Sequence, residues 1–157
     1  MPADLKKIDP KDVQRLRSET NAGVMDCKRA LEDANGDYDK AKVLIKERGL
    51  EKVAKKSGRE ANEGVVAAYI HTGGKKGAIV ELSSETDFVS RGEDFQKLAQ
   101  EIAMQVTAMA PADVDELLAQ AYIRDASKTI KDLVTTLAAS VGENVQVRRF
   151  QRFALGE

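Results

Sequence analysis

The apolar positions in the first third of the chain recur at helical spacing. Asp9-Pro10 is typical of a helix start, because Asp caps free backbone N–H groups and Pro occupies the first helical position. The pattern stops at Thr20-Asn21-Ala22-Gly23, resumes from Val24 to Asn35, and turns again at Asn35-Gly36-Asp37. A third helix is expected to end at Arg48-Gly49. Three short helices in this length predict a compact unit with a small core.

The stretch from Leu50 to Glu63 is polar and has little apolar face. We therefore predict a partly helical linker, residues 50–63, between two domains that comprise residues 1–49 and 64–157. The basic residues of the linker allow two interpretations, contact with RNA or a solvated spacer, of which the spacer is favoured. These residues are Lys52, Lys55, Lys56 and Arg59.

The second half of the chain mixes strand and helix patterns. Val65–His71 and Gly77–Leu82 are predicted to be strands, and the loop between them carries the two adjacent glycines of a hairpin. From Arg91 to about Met109, apolar residues recur at spacings of three and four, which predicts a helix with one packed face. Those apolar residues are Phe95, Leu98, Ile102, Val106 and Met109.

The remaining segments complete a predicted α+β fold. Asp113–Asp125 is expected to be helical with a break, and Ser127 is expected to cap a helix that Gly142-Glu143-Asn144 stops. A last strand is predicted from Val145 to about Phe153, and its imperfect alternation predicts a bulge near Arg148-Arg149. Three antiparallel strands packed with helices on one side form a small sheet whose edges need covering.

An acidic loop with an aromatic residue connects the second strand to the following helix, at Thr86-Asp87-Phe88-Val89. Ser90 and Glu93 have the spacing of a capping box, in which each side chain satisfies the other's free backbone N–H. Phe88 then has two interpretations, a buried staple that packs onto the helix or an apolar contact for a partner. Asp87 either accepts backbone N–H groups at the helix entry, where the dipole favours an anion, or contacts the same partner.

Composition limits the classes of function. Charged residues make up 32% of the 157 residues, yet the net charge is only −1, which argues against direct nucleic-acid binding through the phosphate backbone. One cysteine and one histidine exclude an internal disulfide and a Cys/His zinc site. No apolar run resembles a membrane span or a signal peptide, so we expect a cytoplasmic protein that does not bind membranes.

Catalysis is not expected from this chain. No phosphate-binding loop, zinc-protease helix or serine nucleophile elbow occurs in the sequence. Cys27 is expected to be a buried small hydrophobe rather than a reactive thiol. The arginines of the last strand are expected to pair with nearby acids such as Glu143 rather than to form a basic patch.

Three segments, in order, resemble a known family. Leu16–Leu31 resembles the first signature of the bacterial elongation factor Ts family, Glu81–Arg91 resembles the second, and Val141–Phe150 resembles the end of the family's core repeat. The resemblance implies a ubiquitin-associated-like fold for the three N-terminal helices. It also implies a guanine-nucleotide exchange factor for the translation GTPase elongation factor Tu.

The resemblance assigns partner-binding residues as well. It implies that Phe88 enters an apolar pocket in the nucleotide domain of the GTPase, with Asp87 beside it and Thr86 and Val89 in the same loop. His71 is either a solvated turn residue or a further contact. The N-terminal unit is implied to dock a helix of the same domain through Val24, Met25 and Lys28. The alternative interpretation of Val24 and Met25 is that they belong to the core. No cofactor is implied, because GDP, GTP and Mg²⁺ belong to the partner.

The chain departs from the family at two positions and in length. Asn21 stands where glycine is usual, a change that Asn tolerates at positive φ, and Val24 stands where methionine is usual, which reduces apolar contact area. Longer members carry two related core repeats and a coiled-coil insertion, whereas this chain has room for one repeat. We therefore expect a homodimer that contacts through the core sheet and the C-terminal strand. The alternative function is a non-catalytic adaptor that binds a partner without accelerating nucleotide release.

Overall fold

The computed structural model describes residues 7–157. The chain forms two compact units, the first ending at Lys55 and the second comprising Lys56–Glu157. Within the described residues, no helix is both long enough and apolar enough to cross a lipid bilayer.

The described part of the first unit contains three helices, α1 (Pro10–Thr20), α2 (Val24–Asp33) and α3 (Tyr38–Lys56). The predicted start of α1 is confirmed, since the Asp9 carboxylate accepts the Lys11 N–H at 2.9 Å. Asn21 ends α1 at a φ of 55°, as the turn prediction requires. The likeness of the three-helix unit to ubiquitin-associated domains stays a prediction. The small core consists of Leu16, Cys27, Ala30, Leu31, Ala34 and Ala41.

Cys27 lies in the middle of this core and has no exposed surface. Burial raises the pKa of its thiol, which disfavours the reactive thiolate. The prediction of a buried small hydrophobe is therefore confirmed.

α3 is longer than the sequence predicted. We expected the helix to end at Arg48-Gly49, but it continues to Lys56, and Gly49 does not adopt the positive φ of a helix cap. A glycine in a helix interior costs only about 1 kcal/mol. Glu51 and Lys55 are strong helix formers, and such residues sustain a helix even where it has little apolar face. The first part of the predicted linker is therefore helical.

The second unit has the predicted α+β fold. In chain order, its elements are β1 (Glu63–Ile70), β2 (Lys76–Ser84), α4 (Asp87–Ser90), α5 (Glu93–Met109), α6 (Val114–Ala119), β3 (Ala121–Tyr122), β4 (Asp125–Thr129), α7 (Ile130–Val141) and β5 (Gln146–Ala154). β1, β2 and β5 form an antiparallel sheet in the order β1-β2-β5. α5 packs against the inner face of this sheet, and the two elements bury Ala67, Val80, Leu82, Phe95 and Ile102.

β5 carries the predicted bulge. Glu81 pairs with Arg149 and Leu82 pairs with Val147, so Arg148 is the extra residue on the bulged strand. The bulge changes the parity of β5, which explains why its apolar residues do not alternate evenly along the sequence.

The outer face of the sheet exposes a group of apolar side chains, which we call the open face. Cross-strand pairing places them together, because Ala68 pairs with Ile79 while Gly77 pairs with both Ile70 and Phe153. Ile70 and Phe153 are each 67% exposed. The open face consists of Val66, Ala68, Ile70, Ile79 and Phe153.

The segment after α6 differs from the prediction. We expected an interrupted helix as far as Asp125, but α6 is followed by the β3–β4 hairpin. The buried side chain of Gln105 holds this hairpin, since its Nε2 donates to Ala121 O at 3.0 Å and its Oε1 accepts the Ile123 N–H at 3.0 Å. Tyr122 donates to the Glu101 carboxylate, and burial together with that carboxylate raises the pKa of Tyr122 to about 12.

The cap of α7 is Thr129, not Ser127 as predicted. Thr129 and Asp132 form a reciprocal capping box, with N–H to oxygen distances of 2.8 and 3.1 Å. Ser127 instead hydrogen-bonds to Asp125 within the strand that precedes the helix. Both residues have capping chemistry, but only Thr129 has an acid three residues later. The predicted stop is confirmed, because Gly142 ends α7 at a φ of 72°.

Gly64 permits the close pairing of β1 with β2. Its φ is 146°, and a Cβ at this position would lie 2.1 Å from Leu82 O. We expect Gly64→Ala to destabilise the protein by about 3 kcal/mol, since both the backbone strain and the clash must be relieved. Urea denaturation measures the change, and Gly58→Ala is the control, because a Cβ at Gly58 meets no heavy atom within 4 Å. Equal stability of the two variants would contradict the role of Gly64.

Candidate functional site

The loop that the sequence singled out joins β2 to α5 through the single turn of α4. Thr86 caps α4, since its Oγ1 accepts the Val89 N–H at 3.4 Å. The predicted capping box of Ser90 and Glu93 is wrong. Ser90 donates its hydroxyl to Asp87 O at 3.1 Å, and α5 begins after Gly92 without a side-chain cap. The extra turn of α4 separates Ser90 from the helix that it was expected to cap.

Phe88 projects from α4 into solvent. It is 86% exposed, whereas Phe95, one element later, is 1% exposed and fills the core beneath the sheet. The interpretation of Phe88 as a buried staple is therefore wrong, because the ring is exposed to solvent. An exposed aromatic of this size is a typical anchor for protein recognition.

An open groove of about 710 Å³ lies beside Phe88. It runs from Phe88 across the start of α5 to the end of α7, and its apolar floor includes Phe95 and Val141. Four acids and one base surround it, namely Asp87, Glu93, Asp94, Glu143 and Arg91. The Asp87 carboxylate lies 3.0 Å from the Arg91 guanidinium, one turn along the chain. The arrangement suits a partner surface that offers an apolar pocket with a basic rim.

Two glutamates tie the loop to the turn between α7 and β5. The Glu143 carboxylate accepts the Thr86 N–H at 3.0 Å and the Thr86 hydroxyl at 2.8 Å. In the opposite direction, the Glu85 carboxylate accepts the Asn144 N–H at 2.7 Å. Glu85 also lies 3.6 Å from Arg59. Sequence reasoning missed this role of Glu143, which we had expected to pair with the arginines of β5.

The arginines of β5 bind elsewhere. Arg149 pairs with Glu81 across the sheet, 2.6 Å apart, and Arg152 pairs with Glu157 at 2.7 Å. The expectation that these side chains pair with acids holds for Arg149 and Arg152, although Glu143 is not the acid involved. Arg148 instead donates to Ser83 Oγ at 3.2 Å and to Ala61 O at 3.0 Å.

His71 lies at the other end of the β1–β2 hairpin from the loop. Glu63 pairs with Ser84 at the loop end, whereas Ile70 pairs with Gly77 at the end that leads to His71. Seven residues of strand separate the two ends, a distance on the order of 20 Å. The structure therefore does not bring His71 to Phe88. The ring of His71 instead lies against Tyr69, whose hydroxyl is 3.1 Å from Nδ1.

The three candidate residues of the first unit lie on α2. Val24 and Met25 are both exposed, whereas Cys27 and Leu31 of the same helix are buried. Of the two interpretations offered for Val24 and Met25, core or contact, the core interpretation is therefore wrong. Lys28 is also exposed, and its ammonium is 3.9 Å from Glu32. Among residues 7–157, no group of three or more His, Cys, Asp or Glu side chains is placed to hold a metal ion.

Proteins of known family are similar in sequence to this chain. A family profile described as "Elongation factor TS" matches residues 85–157. The elongation factor Ts of Anaeromyxobacter dehalogenans is 42% identical over 198 aligned positions, which cover 98% of the chain and 90% of the relative. That of Coprothermobacter proteolyticus is 43% identical over 190 positions, which cover 92% and 96%. The chain belongs to the elongation factor Ts family.

Length varies within the elongation factor Ts family. The 198 positions aligned with the Anaeromyxobacter protein exceed the 157 residues of the chain, so that relative carries inserted residues. The elongation factor Ts of Clostridium acetobutylicum is 47% identical over 147 positions, which cover 94% of the chain but only 48% of the relative. The resemblance drawn from the three sequence segments is confirmed, and the chain is shorter than these relatives.

The exposure of Phe88 predicts that the side chain contributes little to folding. We expect Phe88→Ala to change the free energy of unfolding by less than about 0.5 kcal/mol, as for other exposed residues. Phe95→Ala is the matched comparison and is expected to cost about 3–5 kcal/mol, because it leaves a cavity in the core. Urea denaturation of both variants tests the difference. A large loss in Phe88→Ala would show that the ring is packed in solution.

Proposed function

We propose that the chain is a guanine-nucleotide exchange factor for the translation GTPase elongation factor Tu and acts by binding rather than by bond-making chemistry. Membership of the elongation factor Ts family supports the class of activity. The observation that carries the proposal is Phe88, an aromatic side chain that is 86% exposed on a loop whose β2 end is hydrogen-bonded to the turn between α7 and β5.

Exchange follows from a negative coupling between two ligands of the GTPase. GDP is held through its phosphates and through Mg²⁺, the largest local charge in such a site. A partner that fits only the opened, Mg²⁺-free geometry weakens GDP binding by the same factor by which GDP weakens the partner. The chain therefore needs no nucleotide or metal site of its own, since both ligands belong to the GTPase.

In this proposal, Phe88 enters an apolar pocket of the GTPase and acts as a wedge. Asp87 lies beside it and supplies a charge at the rim, while Thr86 and Val89 shape the turn that presents the ring. The groove between Phe88 and Val141 receives the surface next to the pocket. Val24, Met25 and Lys28 dock a helix of the same GTPase domain, which fits their exposure on α2. His71 makes a separate contact, remote from the wedge.

The exchange proposal predicts that loss of the ring abolishes most of the activity. We expect Phe88→Ala to slow release of fluorescent GDP from elongation factor Tu at least about thirtyfold, the effect of losing one interface hot spot. Ile123→Ala, which shortens an exposed apolar side chain in the β3–β4 turn, is the control and is expected to retain activity. The assay compares the rate of GDP release in the presence of catalytic amounts of the chain with the rate in its absence.

Two outcomes of that assay would contradict the proposal. If the unaltered chain binds the GTPase without accelerating GDP release, the chain is an adaptor instead. If Phe88→Ala is folded and fully active, the wedge lies elsewhere.

We also propose that two copies of the chain associate through the core sheet and its C-terminal strand. The open face supports this, because it presents contiguous apolar side chains from all three strands to solvent. Both β1 and β5 are edge strands of the sheet, and unpaired edges are surfaces on which further chains pair.

The dimer proposal predicts a specific mutational effect. Sedimentation velocity at micromolar concentration is expected to show a dimer for the unaltered chain. Phe153→Glu places a charge on the β5 side of the open face and is expected to raise the dissociation constant at least about a hundredfold, since a buried unpaired charge is costly. Ile123→Glu introduces the same charge in the β3–β4 turn and is the control. A monomeric unaltered chain at this concentration would refute the proposal.

A further inference from the structure

We infer that Glu143 is a positioning residue for nucleotide exchange, which holds the Phe88 loop in its binding geometry before the GTPase arrives. The inference rests on the proposed function of Phe88 as the wedge. Its basis is a pair of contacts, in which both oxygens of one carboxylate bind one residue of the loop. Oε1 accepts the Thr86 N–H at 3.0 Å, and Oε2 accepts the Thr86 hydroxyl at 2.8 Å.

The contacts between the two segments are reciprocal. Glu143 reaches from the α7–β5 turn to the backbone of Thr86, and Glu85 reaches from the loop to the backbone of Asn144 at 2.7 Å. We call these four residues, Glu85, Thr86, Glu143 and Asn144, the glutamate latch. Hydrogen bonds to a carboxylate are shorter and stronger than those between neutral groups. Three such bonds, two to Glu143 and one to Glu85, therefore link the loop to the α7–β5 turn.

One side of the latch is rigidly built. Gly142 ends α7, and its carbonyl accepts the Lys56 ammonium at 2.7 Å. Asn144 is buried, and its side-chain amide donates to Arg59 O at 2.7 Å. The carboxylate of Glu143 therefore extends from a fixed turn, whereas Thr86 and its neighbours toward Phe88 are exposed. The α7–β5 turn therefore positions Thr86 and the exposed residues that lead to Phe88.

The loop needs such a clamp because Phe88 gives it no packing of its own. A loop that samples several geometries binds with an apparent dissociation constant raised by the inverse of its competent fraction. Once bound, the GTPase itself holds the ring, so the maximal rate of GDP release is preserved. Loss of Glu143 is thus expected to change the half-saturating concentration and not the maximal rate. A residue needed only for stability would change neither below the melting temperature.

The experiment is a titration of GDP release from elongation factor Tu against each variant of the full chain. Glu143→Ala is expected to raise the half-saturating concentration about tenfold with an unchanged maximal rate, the scale of a lost charge-assisted hydrogen-bond pair. Glu143→Gln is expected to restore activity to within about threefold, because its amide oxygen accepts the Thr86 N–H and its NH₂ group donates to the Thr86 hydroxyl. Glu116→Ala is the matched control, since it removes a carboxylate that accepts the Ala112 N–H at 3.1 Å.

Amide hydrogen exchange gives a second readout. The Thr86 N–H is expected to exchange faster in Glu143→Ala than in the unaltered chain, while the paired amides of β2 keep their protection. If Glu143→Ala does not fold, Glu143→Asp carries the test, because it keeps the charge but withdraws the carboxylate by one methylene. It is expected to raise the half-saturating concentration in the same direction.

The outcomes separate this inference from the proposed function. Full activity of Phe88→Ala would refute the wedge itself. A defective Phe88→Ala together with a folded Glu143→Ala whose titration matches the unaltered chain would overturn the positioning role alone. A lower maximal rate with an unchanged half-saturating concentration would also overturn it, since Glu143 would then act on the bound GTPase.

Discussion

The loop that carries Phe88 is held by carboxylates, while its aromatic side chain points into solvent. Fixing a residue in one backbone conformation costs roughly 1–2 kcal/mol of conformational entropy, and a loop normally offsets this by burying a large side chain. Here the large side chain points into solvent, so hydrogen bonds take over that role. Glu143 and Glu85 supply these hydrogen bonds. Glu143 is 57 positions from Thr86 in the sequence, and Glu85 is 59 positions from Asn144. The direction in which Phe88 points therefore depends on how α7 ends.

Local chemistry made much of the fold predictable from the sequence. The Asp9 cap, the positive φ of Asn21 and the stop at Gly142 each favour a few residue types at one position, and a suitable residue is present at all three. Errors arose where two residues had the same local chemistry. Ser127 and Thr129 both resemble helix caps, and the acid three residues after Thr129 decides between them. The β3–β4 hairpin was missed for a different reason, since the side chain that holds it belongs to α5.

The candidate site was predictable only as far as local sequence chemistry shows it. The Thr86–Val89 segment is continuous in sequence, so its acidic and aromatic character was visible, but whether Phe88 is buried was not. The folded structure answers that question, because Phe88 is 86% exposed whereas Phe95 is buried. The role of Glu143 was less visible still, because a single glutamate after a helix stop carries no local signal for a partner such as Thr86, which follows the end of β2. Only the folded sheet brings β2 and β5 side by side and so places Glu143 against Thr86.

The second unit exposes apolar surface in two forms, and their shapes suit different kinds of binding. The open face extends over three strands, and contiguous apolar sheet surfaces suit broad, long-lived interfaces that resemble a protein core. Phe88 is a single ring, and an isolated aromatic concentrates binding energy in a small contact. An exchange factor must release its GTPase in every cycle, which a broad apolar interface would oppose. The proposed division of roles follows from this difference, with the open face assigned to a second copy of the chain and Phe88 assigned to the GTPase.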